Sequence, residues 1–488
     1  MKKWIEKNSE ILILLIIVLY ISVLLFYNLW TQSFWIDEWY SSYVAKYMSL
    51  EWLYKSKYFL FEWLQALCFK VWWSTDFWAR FPSVIAQILS VLLMYLIPTK
   101  LCKNKYVGLF SALIFGLLYW ELWRWRDARF YSLIQMMLLL WMWLNLKRTE
   151  TEKTIYLNLT IILTWLGMVF HPFLYCLWAI LILNILTQYK KIWDFNSLFS
   201  KKYLSTRVLI VIWLVGAIVY GTLWGVLNWS ITSGLSRQMK KHYFSFYNSH
   251  LRNNLWLIYV VWLLWMIHFF IKKSRKKIVL LFVPLVLFAY ALIIKWYLMH
   301  SRYALLIFSI IILSACIFMY DIIKLTKNKY ANVCFLGVIL TGAVCTANFQ
   351  FLPISRYYFD YTSPQPDFKS AYASIPDGQN VISWFPTLCD WYYSDRWTCS
   401  HAIKVDLVHD WKAEPSKWTN EGYTKLPYID TIETLKPGSY YYVLDDLTDR
   451  SRDINQKLYR QFSDYGKVVY ETWNSYNHIT VVHLPVYN

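Results

Sequence analysis

Residues 11–30, ILILLIIVLYISVLLFYNLW, hold no charged side chain. A helix needs about 20 such residues to cross the hydrocarbon of a bilayer. Similar apolar runs recur down to about residue 350. Inside hydrocarbon each backbone N–H and C=O must find its partner within the protein, so a chain made of such runs is restricted to bundled helices. Of 488 residues, 58% are hydrophobic and only 16% are charged, against about 25% charged in soluble domains. These features predict a polytopic α-helical membrane protein.

Eleven candidate spans can be read: 11–30, 83–99, 106–120, 131–146, 154–170, 172–187, 206–225, 254–271, 278–294, 303–320 and 331–348. The first resembles the apolar region of a signal peptide, but it is long and no small-residue cleavage site follows. It is expected to stay as an anchor.

Charge divides the chain near residue 350. Up to residue 349 there are 36 Lys and Arg against 13 Asp and Glu, a balance of +23; beyond it the count is 13 against 17, or −4. The net +19 therefore belongs to the membrane part. No nucleic-acid partner is expected from such a distribution, whereas membrane lipids with phosphate headgroups are.

Alternate connections are basic: MKK at the start, then KLCKNK, KRTETEK, YKKIWDFNSLFSKKYLSTR, KKSRKK and KLTKNK. Cationic connections stay on the cytoplasmic side. The N-terminus is then cytoplasmic, and the opposite face carries segment 31–82, ELWRWRDARF, the His171 turn, segment 228–253, KWYLMHSRY and everything beyond 350. The expected location is a cell membrane crossed many times, with the C-terminal domain outside.

Segment 31–82, the first outer loop, is too polar to span and too aromatic for an ordinary connection. From Asp37, apolar residues recur at Tyr40, Tyr43, Val44, Tyr47 and Met48, one face of a helix. Such a helix is expected to lie in the membrane interface, as is the aromatic stretch 58–73. Beyond residue 350, β-type runs (NVISWF, SYYYVLDD, KVVYETW, HITVVHLP) alternate with helical candidates such as 448–463. The expected domains are a membrane module over 1–349 and a small extracytoplasmic α/β domain over 350–488. Cys389 and Cys399 lie in the latter, where a bridge and two free thiols both remain open.

Four polar clusters fall at outer span ends: Asp37/Glu38, Asp127/Arg129, Arg302 and His171. Each has a bland reading. Asp37 can cap its helix with Glu38 in the first turn, and Arg129 and Arg302 can snorkel to headgroups. Asp127 can simply pair with an arginine, and His171 can be structural. Convergence on one face of one bilayer favours function over these separate accidents.

The order of motifs, DE at 37–38, RFPS at 80–83, RDARFYSL at 126–133, FHPF at 170–173 and SRY at 301–303, resembles that of GT-C integral membrane glycosyltransferases. It is most similar to the branch of protein O-mannosyltransferases and the lipid A aminoarabinose transferase. The resemblance implies transfer of a sugar from a polyprenyl-phosphate carrier to an acceptor outside the membrane. It makes Asp37 the acceptor-side acid beside Glu38. Arg129 and Arg302 would hold the carrier phosphate, with Asp127 orienting. His171 and Glu62 are further substrate or metal residues. Glu62 sits in FLFEWLQ, where relatives carry P-P-L-Y-Y. A divalent metal is left open, since Glu38, Glu62 and His171 have no spacing that demands one; no organic cofactor is expected.

The residue chemistry fits such a transfer. A phosphate leaves readily as an anion, so the reaction needs cations against its charge, and guanidinium forks suit that. The acceptor hydroxyl must lose a proton, which needs one carboxylate in hydrogen-bond reach. Adjacent Asp37 and Glu38 diverge by about 100° on a helix, so they cannot straddle a sugar as a hydrolase pair does. One displacement inverts the anomeric centre. A lipid-linked saccharide flippase and a non-catalytic scaffold are the alternatives, although a transporter places charges nearer the midplane.

Overall fold

The computed structural model describes residues 2–27, 29–30, 34, 36–47, 59–118, 127–151, 153–170, 252, 255–264, 305–325, 349, 351–352, 367–383, 389, 392, 401–403, 428–429, 435–445, 464–473 and 478–487. They belong to two compact units. The first comprises Met1–Tyr27, Glu51–Leu64 and Arg80–Pro353; the second comprises Asn28–Leu50, Gln65–Ala79 and Ile354–Asn488. The C-terminal domain thus shares its unit with much of the first outer segment.

The described helices are α1 Lys2–Phe26, α2 Ile36–Tyr47, α3 Phe59–Val71, α4 Asp76–Cys102, α5 Lys105–Leu117, α6 Tyr131–Thr151, α7 Thr154–Phe170, α8 Leu255–Leu264, α9 Leu305–Leu325 and α10 Phe368–Ala373. Among the described residues, two stretches are long and apolar enough to cross a membrane, Asn8–Phe26 and Asp76–Cys102. Expected spans 172–187, 206–225, 278–294 and 331–348 lie outside the described residues, as does the helical candidate 448–463.

In the first unit, α4 and α5 form a tight helical hairpin. Lys103 turns the chain with a left-handed φ of 54°, and the Asn104 side chain caps α5 by accepting from the Tyr106 N–H at 2.9 Å. Gly108 lets α5 approach α4 closely: a Cβ there would stand 2.5 Å from the Tyr95 carbonyl oxygen. The α6–α7 pair is joined by Trp141, whose indole N–H donates to Thr164 Oγ1 at 3.0 Å. Basic connections find acidic neighbours, Lys105 with Glu10 and Lys100 with Glu150 at 2.8 Å.

In the second unit the C-terminal domain is a six-stranded mixed sheet in the order β3-β2-β1-β4-β6-β5. Its strands are β1 Asn380–Ser383, β2 His401–Ile403, β3 Tyr428–Ile429, β4 Gly438–Asp445, β5 Lys467–Trp473 and β6 His478–Val486. The first four strands are parallel, and β5–β6 is an antiparallel hairpin laid against β4. Buried Tyr372 of α10 shares a 2.7 Å hydrogen bond with Ser383 of β1. The β-type runs named from the sequence supply β1, β4, β5 and β6.

Helix α4 starts seven residues before the apolar run 83–99 that marks it in the sequence. Thr75 provides the reason. Its hydroxyl accepts from the Trp78 N–H at 3.4 Å and its carbonyl from the Ala79 N–H at 3.0 Å, so the helix is capped there. Asp76 in the first turn suits the helix dipole.

Candidate functional site

Asp37 and Glu38 are the second and third residues of α2, which begins at Ile36. The helix therefore starts ahead of Asp37, which sits inside the first turn and not at the cap; its side chain lies outside the described residues. Glu38 is wholly buried, as are Ser41 and Ser42 on the same helix. The buried side of α2 is thus broader and more polar than its apolar spacing suggests, although Tyr43 and Val44 are buried as that spacing requires.

Gln65 of α3 holds this helix. Its amide nitrogen donates to the Ala79 carbonyl at 2.9 Å and to Ser42 Oγ at 3.3 Å. A carbonyl only accepts, so the bond to Ala79 fixes which end of the amide faces it. Ser42 lies one helical turn beyond Glu38. Ser42 of α2 and the Gln65 amide are therefore bonded in a buried polar cluster of the second unit, with Glu38 buried one turn away.

The cationic residues belong to the first unit. Asp127 and Arg129 form a turn immediately before α6, closed by the Arg129 N–H on the Asp127 carbonyl at 2.7 Å. Both are buried, Arg129 at 6% exposure. Its guanidinium lies 5.1 Å from the centre of the Phe130 ring, a cation–π distance. Ser83 of α4 donates to the Arg129 carbonyl at 2.8 Å. Snorkelling arginines extend their heads into water or headgroups, whereas this one is enclosed by protein.

Arg80 is a residue that sequence reasoning missed. It is 1% exposed and sits one turn before Ser83 on α4. Arg80, Ser83, Gln87 and Ser90 recur every three to four residues and are all buried. That spacing makes one polar stripe along an otherwise apolar helix. The signal was present in the RFPS motif, which carried no role for Arg80. Ser132 and Gln135 on α6 and Glu62 on α3 are also buried in this unit.

Arg302 and His171 lie outside the described residues. Among the described residues, no three His, Cys, Asp or Glu side chains gather into a metal-holding group. Cys389 is disulfide-bonded, while Cys68, Cys102 and Cys316 are free. An enclosed guanidinium is suited to a phosphate, because a dry setting strengthens its paired hydrogen bonds. A carboxylate held on a helix is suited to one directed proton transfer.

No family model and no curated protein matches the sequence. Solved structures do match over the whole chain. ArnT from Cupriavidus metallidurans, crystallised in the apo state, aligns with a TM-score of 0.57 at 9% identity, covering 98% of each chain. The same protein bound to undecaprenyl phosphate aligns with a TM-score of 0.55 at 9% identity, covering 97% of this chain and 98% of that one. ArnT is the lipid A aminoarabinose transferase, and its fold is GT-C. This chain shares that fold.

Proposed function

We propose that this chain, on the GT-C fold it shares with ArnT, is a membrane glycosyltransferase. It moves a sugar from a polyprenyl-phosphate carrier to an acceptor on the extracytoplasmic face by a single inverting displacement. The membrane module crosses the bilayer eleven times, with the N-terminus in the cytoplasm and the C-terminal domain outside. The observation that carries the reading is the enclosed Arg129 turn in a chain whose fold matches an ArnT structure holding undecaprenyl phosphate.

Arg129 and Arg302 bind the carrier phosphate and take up the charge that develops as the sugar–phosphate bond breaks. Asp127 orients the Arg129 turn from one residue before Ala128. Asp37 accepts the proton of the attacking hydroxyl, and Glu38 fixes the helix around it. No acid need assist departure, because the phosphate leaves as an anion. Glu62 and His171 contact substrate or a cation.

The test is sugar release from a synthetic polyprenyl-phosphate sugar by membranes holding the full chain, compared with the Arg129→Ala variant. Transfer that depends on Arg129 supports the reading. A flippase or a scaffold consumes no donor, and that result would overturn it.

A further inference from the structure

Three contacts within the second unit tie the C-terminal domain to the segment that carries Asp37 and Glu38. Lys369 of α10 sends its ammonium to the Trp30 carbonyl at 2.8 Å and to Asp76 Oδ2 at 3.1 Å. These residues are the entrance and exit of the first outer segment: Trp30 follows α1, and Asp76 opens α4. The two ends also meet directly, with the Trp30 and Phe77 rings 6.3 Å apart. The third contact lies two residues ahead of α2. There the N–H of fully buried Phe34 donates to the Tyr392 hydroxyl at 2.5 Å, with ring centres 6.3 Å apart. Tyr392 in turn stacks on Tyr372, the residue bonded to the sheet through Ser383.

From Asp76 the restraint runs inward. Ala79, three residues on, presents its carbonyl to Gln65, which reaches Ser42, one turn from Glu38. The approach to α2 and its flank are therefore both held by groups that the C-terminal domain fixes. Asp76 is 5% exposed while the Lys369 side chain is 43% exposed. The carboxylate is the desolvated member of the pair, so removing the Lys369 ammonium weakens the hold on the Asp76 end of the segment.

We propose that Lys369 is a positioning residue for the carboxylate helix α2, with Tyr392 as a second anchor, so that the C-terminal domain sets where the acceptor proton is taken. This rests on the reading of α2 as the base-bearing helix. It gives the outer domain a part in turnover without any catalytic group of its own.

The experiment uses the full chain in lipid nanodiscs, with Lys369→Met, Lys369→Arg and Tyr392→Phe variants. Hydrogen exchange is read by peptide over α2, β4 and β6, and transfer is read from a polyprenyl-phosphate sugar. In Lys369→Met, exchange over α2 rises while β4 and β6 stay at wild-type protection. Turnover falls roughly 10- to 100-fold, the cost of about 1 Å of misplacement, and donor KM does not move. Lys369→Arg, which keeps a donor for both oxygens, recovers most of the loss, and Tyr392→Phe loosens α2 to a smaller degree. Unchanged α2 exchange in Lys369→Met overturns the proposal, as does loosening of β4 and β6 along with it. If the wild-type chain transfers no sugar, the functional reading falls, while selective loosening of α2 still establishes the anchor.

Discussion

Ser83 on α4 donates its hydroxyl hydrogen to the main-chain oxygen of Arg129 across 2.8 Å, joining stretches 46 residues apart. The bond holds the turn by its main chain and does not draw on the guanidinium. Ser83→Ala should therefore cost about 0.5–1.5 kcal/mol of stability and raise donor KM by misplacing the turn. Removing the charge itself should do more. If the two arginines hold the carrier phosphate as proposed, Arg129→Ala and Arg302→Ala should each lose a charge-assisted contact of about 1.5–3 kcal/mol and weaken donor use roughly 10- to 150-fold. Lysine should restore only part, since it lacks the planar fork. The measurement is kcat/KM for the polyprenyl-phosphate sugar. Donor dependence that survives loss of both arginines would make them structural.

The α4–α5 hairpin gives a stability prediction independent of chemistry. A methyl group at Gly108 would stand 2.0 Å from Thr99 Oγ1 and 2.5 Å from the Tyr95 carbonyl, and the backbone oxygen cannot step aside. At Gly116 the obstacle is the flexible end of Ile21, 2.0 Å away. Gly108→Ala should thus destabilise by about 1–3 kcal/mol, as overpacking does, and Gly116→Ala by less. Melting temperatures of the two purified variants check the ranking. Equal shifts would mean that the α4–α5 contact is looser than the geometry shows.

What the sequence could reveal depended on distance along the chain. The apolar run 154–170 coincides with helix α7, because charge bounds it at one end and FHPF at the other. Helix α4 runs longer than its apolar run because a helix stops at caps, and Thr75 lies outside any hydropathy signal. β2 and β3 are three and two residues long, too short for alternation to show. Arg80 was not singled out, because burial is a tertiary property. Most of all, Lys369 and Asp76 are 293 residues apart, and no periodicity carries such a pairing. The motif DE told which residues to watch, but not what holds them.

Cysteine chemistry tests the topology. Single cysteines near positions 240 and 420 should react with a membrane-impermeant maleimide in intact cells, and those in the KKSRKK run at 272–277 should not. Labelling at 272–277 would invert the placement of the site. Native Cys68 supplies an internal control. It is half-buried on α3, and burial pushes its thiol above the ordinary range. The thiolate is the reacting form, so Cys68 should label slowly near neutrality and faster as pH rises. A rate that stays flat from about pH 7 to 9 would mean that its thiolate is not limiting.

The paired acids permit the sharpest test. α2 starts at Ile36, which puts Asp37 past the cap, so Asp37→Asn should leave folding nearly unchanged; even at a cap, asparagine serves as well as aspartate. As a base, Asp37 cannot be replaced by an amide, and turnover should fall about 10²–10⁴-fold. The Glu38 side chain is enclosed, one turn from Ser42. Glu38→Gln should cost stability through a changed buried hydrogen-bond pattern, about 1–3 kcal/mol, with a milder loss of turnover per folded molecule. Both variants are to be compared at matched folded fraction, measured by thermal unfolding, with sugar transfer as the readout. An Asp37→Asn enzyme that keeps full turnover removes Asp37 from the chemistry. A stable but inactive Glu38→Gln beside it would move the base one residue along, into the enclosed assembly that Gln65 holds. On the proposed reading, the burial of Glu38 fits a residue that fixes the helix, which leaves the proton transfer to Asp37.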